Sequence, residues 1–442
     1  MREGSLEAPT RHPIDWRSDD YYNADSLNAE LERVYDICHG CRRCVSLCNA
    51  FPTLFDLVDE SDTMEVDGVD KADYIKVVDE CYLCDLCYMT KCPYVPPHEW
   101  NVDFPHLMLR AKAVKLKNGG AAFRDRFLAG TDRLGKLVTA IPSVDLAVNA
   151  LNKKPGVRKL LSRQLGVHPD ATLPEYRHNT ARRRARSLPA ESSEPVATDT
   201  TTGKVALFTT CYGNFNKPEV CEALIRVFRH NNLEVILAND EVCCGMPKLE
   251  MGDIDAVVRA GQHNVAMLDD LIARGYDIVA PVPSCVLMFK QELPLMLPED
   301  SAVQRVQRAM FDPFEYLMLR HRAGLLNLDF KQSLGDVSYQ VACHLRVQNI
   351  GLKTRDVLNL VPDTTVHAIE RCSGHDGTYA VRNESRDAAV KIARPVARKV
   401  DEQQGAHFAS DCPMAAQMIA DVSKNDILPE HPMNLLCKAY GL

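Results

Sequence analysis

The sequence predicts a helical N-terminal domain followed by a larger α/β region made of two similar halves. Two compact cysteine runs, at 38–48 and 81–92, are flanked by apolar residues at helical spacing. From about Gly203 onwards, short apolar strand patterns alternate with helical patterns, which is typical of parallel sheets. Cysteines that follow these strands recur at offsets of 132 and 129 residues, so we infer an internal duplication of one α/β unit.

Length and composition indicate a metal-binding protein of a reducing compartment. The 442 residues allow two or three domains, and 46% hydrophobic with 25% charged residues is the composition of an ordinary soluble protein. Seventeen cysteines without a visible export signal predict a cytoplasmic location. The net charge of −8 argues against nucleic-acid binding. The nearest approach to a transmembrane helix, at 137–151, is short and contains Pro142 and Asp145.

The two cysteine runs have the spacing of iron–sulfur ligands. The first run contains Cys38, Cys41, Cys44 and Cys48, and the second contains Cys81, Cys84, Cys87 and Cys92. Three cysteines separated by two residues can hold three corners of a [4Fe–4S] cluster, and in two-cluster ferredoxins the fourth ligand comes from the other run. We therefore predict two clusters with crossed fourth ligands: Cys38, Cys41, Cys44 and Cys92 on one, and Cys81, Cys84, Cys87 and Cys48 on the other.

Zinc is the main alternative for these runs. Zinc ribbons use two Cys-x-x-Cys pairs and stop at four ligands, whereas each run here has a third cysteine at the same step and then a fourth. A disulfide framework is a weaker alternative, because the chain is long enough to bury a core without cross-links and shows no signal peptide.

The chain around these runs divides into an extension, a cluster domain and a connector. We predict a polar extension at 1–30 and an α-helical ferredoxin domain at 31–115, closed by a helix after Phe104. The acidic stretch 56–80 is interpreted as a solvated loop or, alternatively, as a docking surface for a basic redox partner. Residues 116–202 form a helical connector that prolines interrupt.

Two segments of the connector are predicted to lie at the surface or in a linker. The basic run 182–186 is interpreted as a surface or linker segment, with contact to anionic lipid or a partner as the alternative. Residues 187–203 are rich in Ser, Thr, Pro and Glu, which predicts a linker.

The α/β region places a cysteine after each of six predicted strands. In the first half (203–330), the strands at 205–208, 233–237 and 277–282 precede Cys211, the Cys243-Cys244-Gly245 motif and Cys285. In the second half (331–442), the strands at 337–341, 366–369 and 407–409 precede Cys343, Cys372 and Cys412. Ligands collect beyond the carboxyl ends of parallel strands, so we expect each half to gather its cysteines at one edge, facing a shared cleft. The alternative is a duplicated fold with buried, inert cysteines.

Together, these motifs resemble the heterodisulfide reductase-related iron–sulfur subunit family, from about Tyr35 to the end of the chain. The resemblance implies an α-helical ferredoxin domain with two cluster motifs, followed by a duplicated α/β cysteine-rich (CCG) domain. It also implies electron transfer between a partner dehydrogenase or reductase and a quinone or disulfide. In the heterodisulfide reductase branch, the full site uses one cysteine, then Cys-Cys-Gly, then Cys-x-x-Cys, and holds non-cubane clusters that cleave a disulfide.

This chain departs from that full site in both halves, which argues against disulfide cleavage on a non-cubane cluster. The first half retains Cys211, Cys243, Cys244 and Cys285, with Val282 where the first cysteine of the last motif belongs. Four thiolates suffice for one ordinary cluster. The second half retains Cys343, Cys372 and Cys412, with Ser373 and Ala415 at the other positions.

The second half is therefore either a relic or a reactive site with an open cluster corner, and we favour the relic. His344 and His375 lie beside its cysteines and could supply nitrogen, although ordinary hydrogen-bonded histidines are the better interpretation. Cys221 and Cys437 match nothing in the family and are expected to be packed thiols.

The leading hypothesis is an iron–sulfur electron-transfer subunit, with a flavin dehydrogenase or another reductase or oxidase subunit as its redox partner. Electrons would pass to or from a quinone, a disulfide or another terminal acceptor. The alternatives are a catalytic reductase acting at the C-terminal cysteines and a non-enzymatic redox sensor. We find no Gly-rich phosphate loop between a strand and a helix, so we expect no flavin or NAD on this chain. Membrane contact would be peripheral, at the inner face and through a partner.

Overall fold

The computed structural model describes residues 9–189 and 194–442, and its N-terminal part is helical. The main helices there are α1 (Ala24–Cys41), α2 (Ala50–Asp59), α3 (Tyr74–Asp79), α4 (Leu86–Thr90) and α5 (Phe104–Gly119). Single 3₁₀ turns occur at Asp20–Tyr22, Val66–Gly68 and Lys71–Asp73. The helix predicted after Phe104 is confirmed by α5. The first eight residues of the predicted extension and residues 190–193 of the predicted linker lie outside the described residues.

Capping residues fix the ends of the two long N-terminal helices. The Asn23 side chain accepts a hydrogen bond from the Ser26 backbone N–H at 2.9 Å, which satisfies one of the unpaired donors at the start of α1. Helix α1 stops where Arg42 adopts a left-handed conformation with a φ of 51°. The Asp103 side chain caps α5 in the same way through the His106 backbone N–H. The first cysteine run therefore begins in the last turn of α1, and the second run precedes α5.

The predicted N-terminal extension packs against the protein through one buried arginine. Arg11 lies 2.6 Å from Asp85, 2.9 Å from Asp103 and 3.4 Å from Glu292, and all four side chains are largely buried. A buried cation requires such partners, since an unpaired one would be strongly destabilising. Asp85 and Asp103 belong to the helical N-terminal part and Glu292 to the first half. The extension therefore links these two parts of the chain.

The connector contains helices where the proline pattern allows them. Its helices are α6 (Phe123–Leu128), α7 (Thr131–Ala140), α8 (Val144–Asn152), α9 (Pro155–Leu165) and α10 (Ala181–Ser187). Pro155 opens α9, where its missing N–H has no helical partner to lose. The basic run interpreted as a surface or linker segment instead forms α10. Its Arg182 side chain lies 2.5 Å from the Ala238 carbonyl oxygen and 3.1 Å from Glu241, because these acceptors face it from the first half.

Two parallel four-stranded sheets organise the α/β region. The first contains β1 (Lys204–Leu207), β2 (Glu234–Leu237), β3 (Asp277–Val279) and β4 (Met310–Phe311) in the order β2-β1-β3-β4. The second contains β5 (Gly335–Gln340), β6 (Thr364–Ile369), β7 (His407–Ser410) and β8 (Pro429–Glu430) in the order β6-β5-β7-β8. All six predicted strands are present, and their pairing is parallel throughout. Strand β3 ends before its predicted limit because Pro283 begins a helix soon after it.

Helices cover both sheets and join them. In the first half they are α11 (Cys211–Phe215), α12 (Pro218–His230), α13 (Met246–Leu249), α14 (Ile254–Ala273), α15 (Pro283–Leu287), a π turn at Met288–Glu292, α16 (Leu293–Met296), α17 (Ser301–Ala309) and α18 (Pro313–Arg322). In the second half they are α19 (Cys343–Arg346), α20 (Lys353–Leu358), a 3₁₀ turn at Tyr379–Val381, α21 (Arg386–Gln403), α22 (Pro413–Val422) and α23 (Pro432–Tyr440). One apolar core joins the N-terminal helices to the first half, and a second joins the two halves.

Candidate metal centres

The first three cysteines of the first run meet the last cysteine of the second run. Cys38 and Cys41 occupy the last turn of α1, and Cys44 follows the left-handed turn at Arg42. Cys38 lies within electrostatic range of Cys92, Cys44 and Cys41. All four thiols border a small cavity that also contacts aromatic side chains of the core. We name this set the first N-terminal group.

The remaining four cysteines of the two runs form a second N-terminal group. Cys87 interacts with Cys81, Cys84 and Cys48. The loop that carries them is unusual, because Leu83 and the buried Asp85 adopt φ values of 57° and 60°. Residues other than glycine rarely take this conformation, and it recurs where a loop must wrap a functional group. The backbone N–H groups of the loop also point towards the sulfur atoms of Cys81 and Cys84.

Because these thiols are shielded from solvent, they are suited to bind a cationic group. Burial, with the neighbouring thiols, raises the pKa of Cys44 to about 12. Burial also raises the pKa values of Cys81 and Cys92, each to about 11. Thiolates are the ligands of iron–sulfur clusters, and four thiolates can share a buried site only if bound metal balances their charge. The set of four thiols therefore fits a four-iron cluster in each group, and in the first group a cavity lies between them.

The first half brings its four predicted ligands together beyond the carboxyl ends of β1, β2 and β3. Cys243 receives hydrogen bonds from Cys211 and Cys244, which lower its pKa, and Cys244 also interacts with Cys285. The Thr131 hydroxyl of the connector lies 3.3 Å from the Cys211 sulfur and 3.7 Å from that of Cys243. We name these four cysteines the first-half group. Their donor set also fits a four-iron cluster.

A glycine is required immediately after the paired cysteines of the first-half group. Gly245 has a φ of 101°, which side chains disfavour, and an added Cβ would lie 3.3 Å from Val257. This turn starts α13 and holds Cys243 and Cys244 beside each other at the sheet edge. Cys221 and Cys437 are buried in the core shared by the halves, as expected for packed thiols.

The second half brings two of its three predicted ligands into hydrogen-bond contact, and the third, Cys412, interacts with the same Asp376 as they do. Cys343 and Cys372 share a hydrogen bond, and Cys372 also accepts one from the Gly374 N–H at 3.4 Å. We name them the second-half pair. The pair lies next to the second N-terminal group, because Cys372 interacts with both Cys84 and Cys48. The strongest side-chain interactions of Cys412 are instead with Asp376 and Asp411.

The positions without cysteine in the second half are closely packed. Ser373 is buried and its hydroxyl accepts a hydrogen bond from the His375 N–H at 3.3 Å, while Ala415 is buried in α22. Burial lowers the pKa of both His344 and His375 to about 4, so both rings are neutral at pH 7. Within the described ranges, the buried Nε2 atom of His344 has no hydrogen-bond partner. The arrangement leaves a neutral nitrogen beside the second-half pair.

A buried charged cluster joins the N-terminal part to both halves. The Lys112 ammonium donates to the Cys81 carbonyl oxygen at 2.6 Å and lies 3.4 Å from the Glu250 carbonyl oxygen. The Glu250 carboxylate lies against Gly377, where a Cβ would be 1.6 Å from the carboxylate oxygen. Burial raises the pKa of Glu250 to about 7 and raises that of the neighbouring Asp376. No pattern in the sequence points to this cluster, since its members lie far apart along the chain.

An open cavity of about 370 Å³ leads to the first-half group. Its walls come from α7, α10 and the loops after β1 and β2, and Cys211 and Cys243 border it. Four cations line it, namely Lys136, Arg182, Arg183 and Arg186, together with Asp132 and Glu241. A molecule with negative charge could enter this cavity and reach the first-half thiols.

Two features are absent from residues 9–189 and 194–442. In these ranges no three His, Cys, Asp or Glu side chains are arranged as a ready-made metal-ion site. None of the helices in these ranges combines the length and apolar character that a transmembrane span needs.

Comparison with known proteins identifies the relationship. Residues 205–290 match the family model of the CCG cysteine-rich domain. One of the subunits of anaerobic glycerol-3-phosphate dehydrogenase from Escherichia coli K12 is 26% identical over 349 residues, which cover 77% of this chain and 83% of that protein. The chain is a homologue of iron–sulfur subunits. The resemblance seen in the motifs to the heterodisulfide reductase-related family is thereby confirmed.

Other relatives of this iron–sulfur protein belong to different oxidoreductase systems. One of the subunits of fumarate reductase (CoM/CoB) from Methanothermobacter marburgensis is 26% identical over 239 residues, covering 53% of this chain and 45% of that protein. Lactate utilization protein A from Bacillus pumilus is 28% identical over 185 residues, covering 40% and 75%. The reactions that the names of these relatives give differ from one relative to the next.

Proposed function

We propose that this chain is the electron-transfer subunit of a redox complex, with its two N-terminal cysteine groups next to each other. The observation that carries the proposal is their adjacency. The first N-terminal group adjoins the second through Cys44 and Cys87. The second N-terminal group adjoins the second-half pair through Cys48 and Cys84. Adjacent cluster sites are what a path for single electrons requires.

Each N-terminal group would hold one [4Fe–4S] cluster with crossed fourth ligands, and the first-half group would hold a third. Bound clusters supply one-electron redox chemistry. The chain's own contribution is to bury the ligands, donate backbone N–H groups to their sulfur atoms and keep water away. Such hydrogen bonds and burial tune the reduction potential of a cluster. No proton transfer on the chain is needed for this role.

The domain plan follows from the same reasoning. We assign a ferredoxin-type domain to 31–115, a connector to 116–202, and a duplicated CCG domain to 203–330 and 331–442. The equal strand order of the two sheets supports the duplication, because two unrelated α/β units would rarely share both order and cysteine positions. The extension at 1–30 then serves to fasten the ferredoxin-type domain to the first half through Arg11.

The electron partner would be a flavin dehydrogenase or another reductase or oxidase subunit, and the complex would lie at the inner face of a membrane. The relatives named as subunits of dehydrogenase and reductase complexes support a protein partner. A catalytic role is the second candidate, favoured by the cavity that reaches Cys211 and Cys243. In that role a small acceptor would be reduced at the first-half group, instead of on another protein of the complex.

Anaerobic iron and sulfide analysis with electron paramagnetic resonance tests this proposal. About twelve irons per chain are expected for three four-iron clusters, and about eight would leave the first half empty. Cys92→Ser should damage the signal of the first N-terminal group and spare the second, whereas Cys48→Ser should do the opposite. Loss of the other cluster in each variant would show that the ligands are not crossed. Turnover of a small acceptor with an artificial donor by the isolated chain would favour the catalytic role.

A further inference from the structure

The hairpin formed by α7 and α8 has polar residues inside and apolar residues outside. The side chains of Leu137, Ile141 and Leu146 are 72%, 63% and 62% exposed. By contrast, Asp145 and Asn149 are only 6% and 8% exposed. A helix on the surface of a globular protein normally shows the reverse pattern. Packing within the chain leaves these apolar side chains uncovered, so their exposure suggests a role outside the folded chain.

Hydrogen bonds to the segment before α10 hold the hairpin in this orientation. The Asp145 carboxylate accepts from the His178 backbone N–H at 2.8 Å. The Asn149 amide donates to the Tyr176 carbonyl oxygen at 2.8 Å and accepts from the Tyr176 N–H at 2.9 Å. Turning the leucines inward would break these bonds and leave buried polar groups without partners. The apolar face is therefore kept outward by specific contacts.

The exposed face of the hairpin carries no charge, and cations stand at its borders. Between residues 137 and 151 the only charged residue is Asp145, which is buried. Arg133 and Lys136 precede this stretch and Lys154 follows it. None of these three cations forms an ion pair with a residue that the structure describes. The surface thus combines an uncharged apolar patch with unpaired positive charges at its edge.

We propose that this hairpin inserts into the surface of an anionic lipid bilayer, so that the chain contacts the membrane directly. An interfacial segment buries apolar side chains at the boundary of the acyl chains and places Lys and Arg at the lipid phosphates. The hairpin offers both features, and it is too short to span a bilayer. Exposed Leu151 and Leu160 extend the patch along α8 and α9.

This inference does not depend on the electron-transfer proposal, in which membrane contact comes through a partner. The inference also predicts how the molecule is oriented on the membrane. Helix α7 lines the cavity that ends at Cys211 and Cys243, so a hairpin seated in lipid brings the mouth of that cavity to the membrane surface.

Vesicle flotation of the full, cluster-loaded chain under anaerobic conditions tests the inference. The wild type should float with vesicles of phosphatidylethanolamine and phosphatidylglycerol, and less with vesicles of phosphatidylcholine alone. The double variant Leu137→Glu/Leu146→Glu should lower the partition into anionic vesicles by at least about tenfold. Leu428→Glu changes a leucine that is equally exposed, at 76%, in the second half and should leave partition unchanged. Lys136→Ser/Lys154→Ser should weaken binding to anionic vesicles only.

A second readout does not rely on any variant. Hydrogen–deuterium exchange of the wild type should show protection of residues 137–151 when anionic vesicles are added. Wild-type protein that stays with the vesicle-free fraction for both lipid mixtures would overturn the inference, as would vesicle binding without protection of the hairpin. Equal flotation of the wild type and the leucine double variant would place the lipid contact elsewhere. Each of these results would indicate that the apolar patch contacts a protein partner and not lipid.

Discussion

The two halves of the α/β region share a strand order but present different chemistry at the same sheet edge. In the first half, four thiols hydrogen-bond or interact with one another in sequence from Cys211 to Cys285. In the second half, Cys343 and Cys372 pair, while Ser373 occupies the position of a thiol. The difference teaches that the sheet determines where ligands collect, whereas a few side chains determine how many there are.

The surroundings of the two sets differ as much as their ligand count. The first-half group borders an open cavity with four cations, so a solute can approach it. The second-half pair faces the second N-terminal group and Asp376, and both of its thiols are partly exposed. We infer that the first half is suited to hold a group that exchanges electrons outward. The second half is suited to support the second N-terminal group next to it.

The largest expected effect is a difference in iron content between a cysteine variant of the first half and the matched variant of the second half. Cys244→Ala removes one of four thiolates in the first-half group, and an incomplete set should fail to retain its cluster. We expect a loss of about four irons per chain. Cys343→Ala, the matched change in the second half, should leave the iron content unchanged. Iron and sulfide analysis of both variants, beside the wild type, measures the difference.

These two variants can also refute the proposed difference in metal binding between the two halves. If Cys244→Ala keeps its full iron content and all cluster signals, the first half holds no cluster. If Cys343→Ala loses about four irons instead, the second half is the occupied site. The signal of a cluster in the first N-terminal group serves as an internal control, because neither cysteine belongs to that group.

Much of this contrast could be predicted from sequence, because it depends on local patterns. Strands of four to six residues with flanking cysteines are visible as apolar runs, and all six were found. The edge strands β4 and β8 are too short to produce a pattern. The inverted hairpin was missed, since burial of Asp145 depends on His178, which lies beyond two turns and a helix. Residues that meet only through tertiary packing, such as Lys112 and Glu250, give no local signal.

A smaller effect should appear where the halves meet, at Asp312 of the first half. This residue caps α18 through the Phe314 N–H at 2.9 Å and is buried. Burial, with Asp411 of the second half and Glu315 nearby, raises its pKa to about 8. The folded state therefore holds a proton that the unfolded state releases at lower pH. The contribution of this group to stability is fully present below about pH 4 and is lost as pH rises through about 8.

Asp312→Asn should flatten this pH dependence, because an asparagine keeps the helix cap and cannot ionise. The Asp312 carboxyl should contribute a fall in stability of at most about 1.4 kcal/mol per pH unit between pH 6 and 8. Anaerobic thermal unfolding at several pH values measures this slope. Asp300→Asn changes the cap of α17 and should retain the wild-type slope. A wild-type slope in Asp312→Asn would show that the buried proton lies on another group.

The smallest expected effect is the most direct test of why the halves differ. Ser373→Cys restores the paired cysteine of the second half, and if ligand count alone decided occupancy, the variant should gain about four irons per chain. We expect no gain. The strongest interactions of Cys412 are with Asp376 and Asp411, and the second-half pair is already engaged with the second N-terminal group.

A new thiol at position 373 would therefore meet two cysteines that are already hydrogen-bonded to each other. Ser373 is also buried, and its oxygen already accepts the His375 N–H, so the added sulfur would have to displace that contact. Cys244→Ser provides the matched exchange in the first half and should lose iron. If Ser373→Cys instead gains iron and a new paramagnetic signal, Cys412 moves to the pair when metal binds. The two halves would then differ by a single atom at this position and not by their packing.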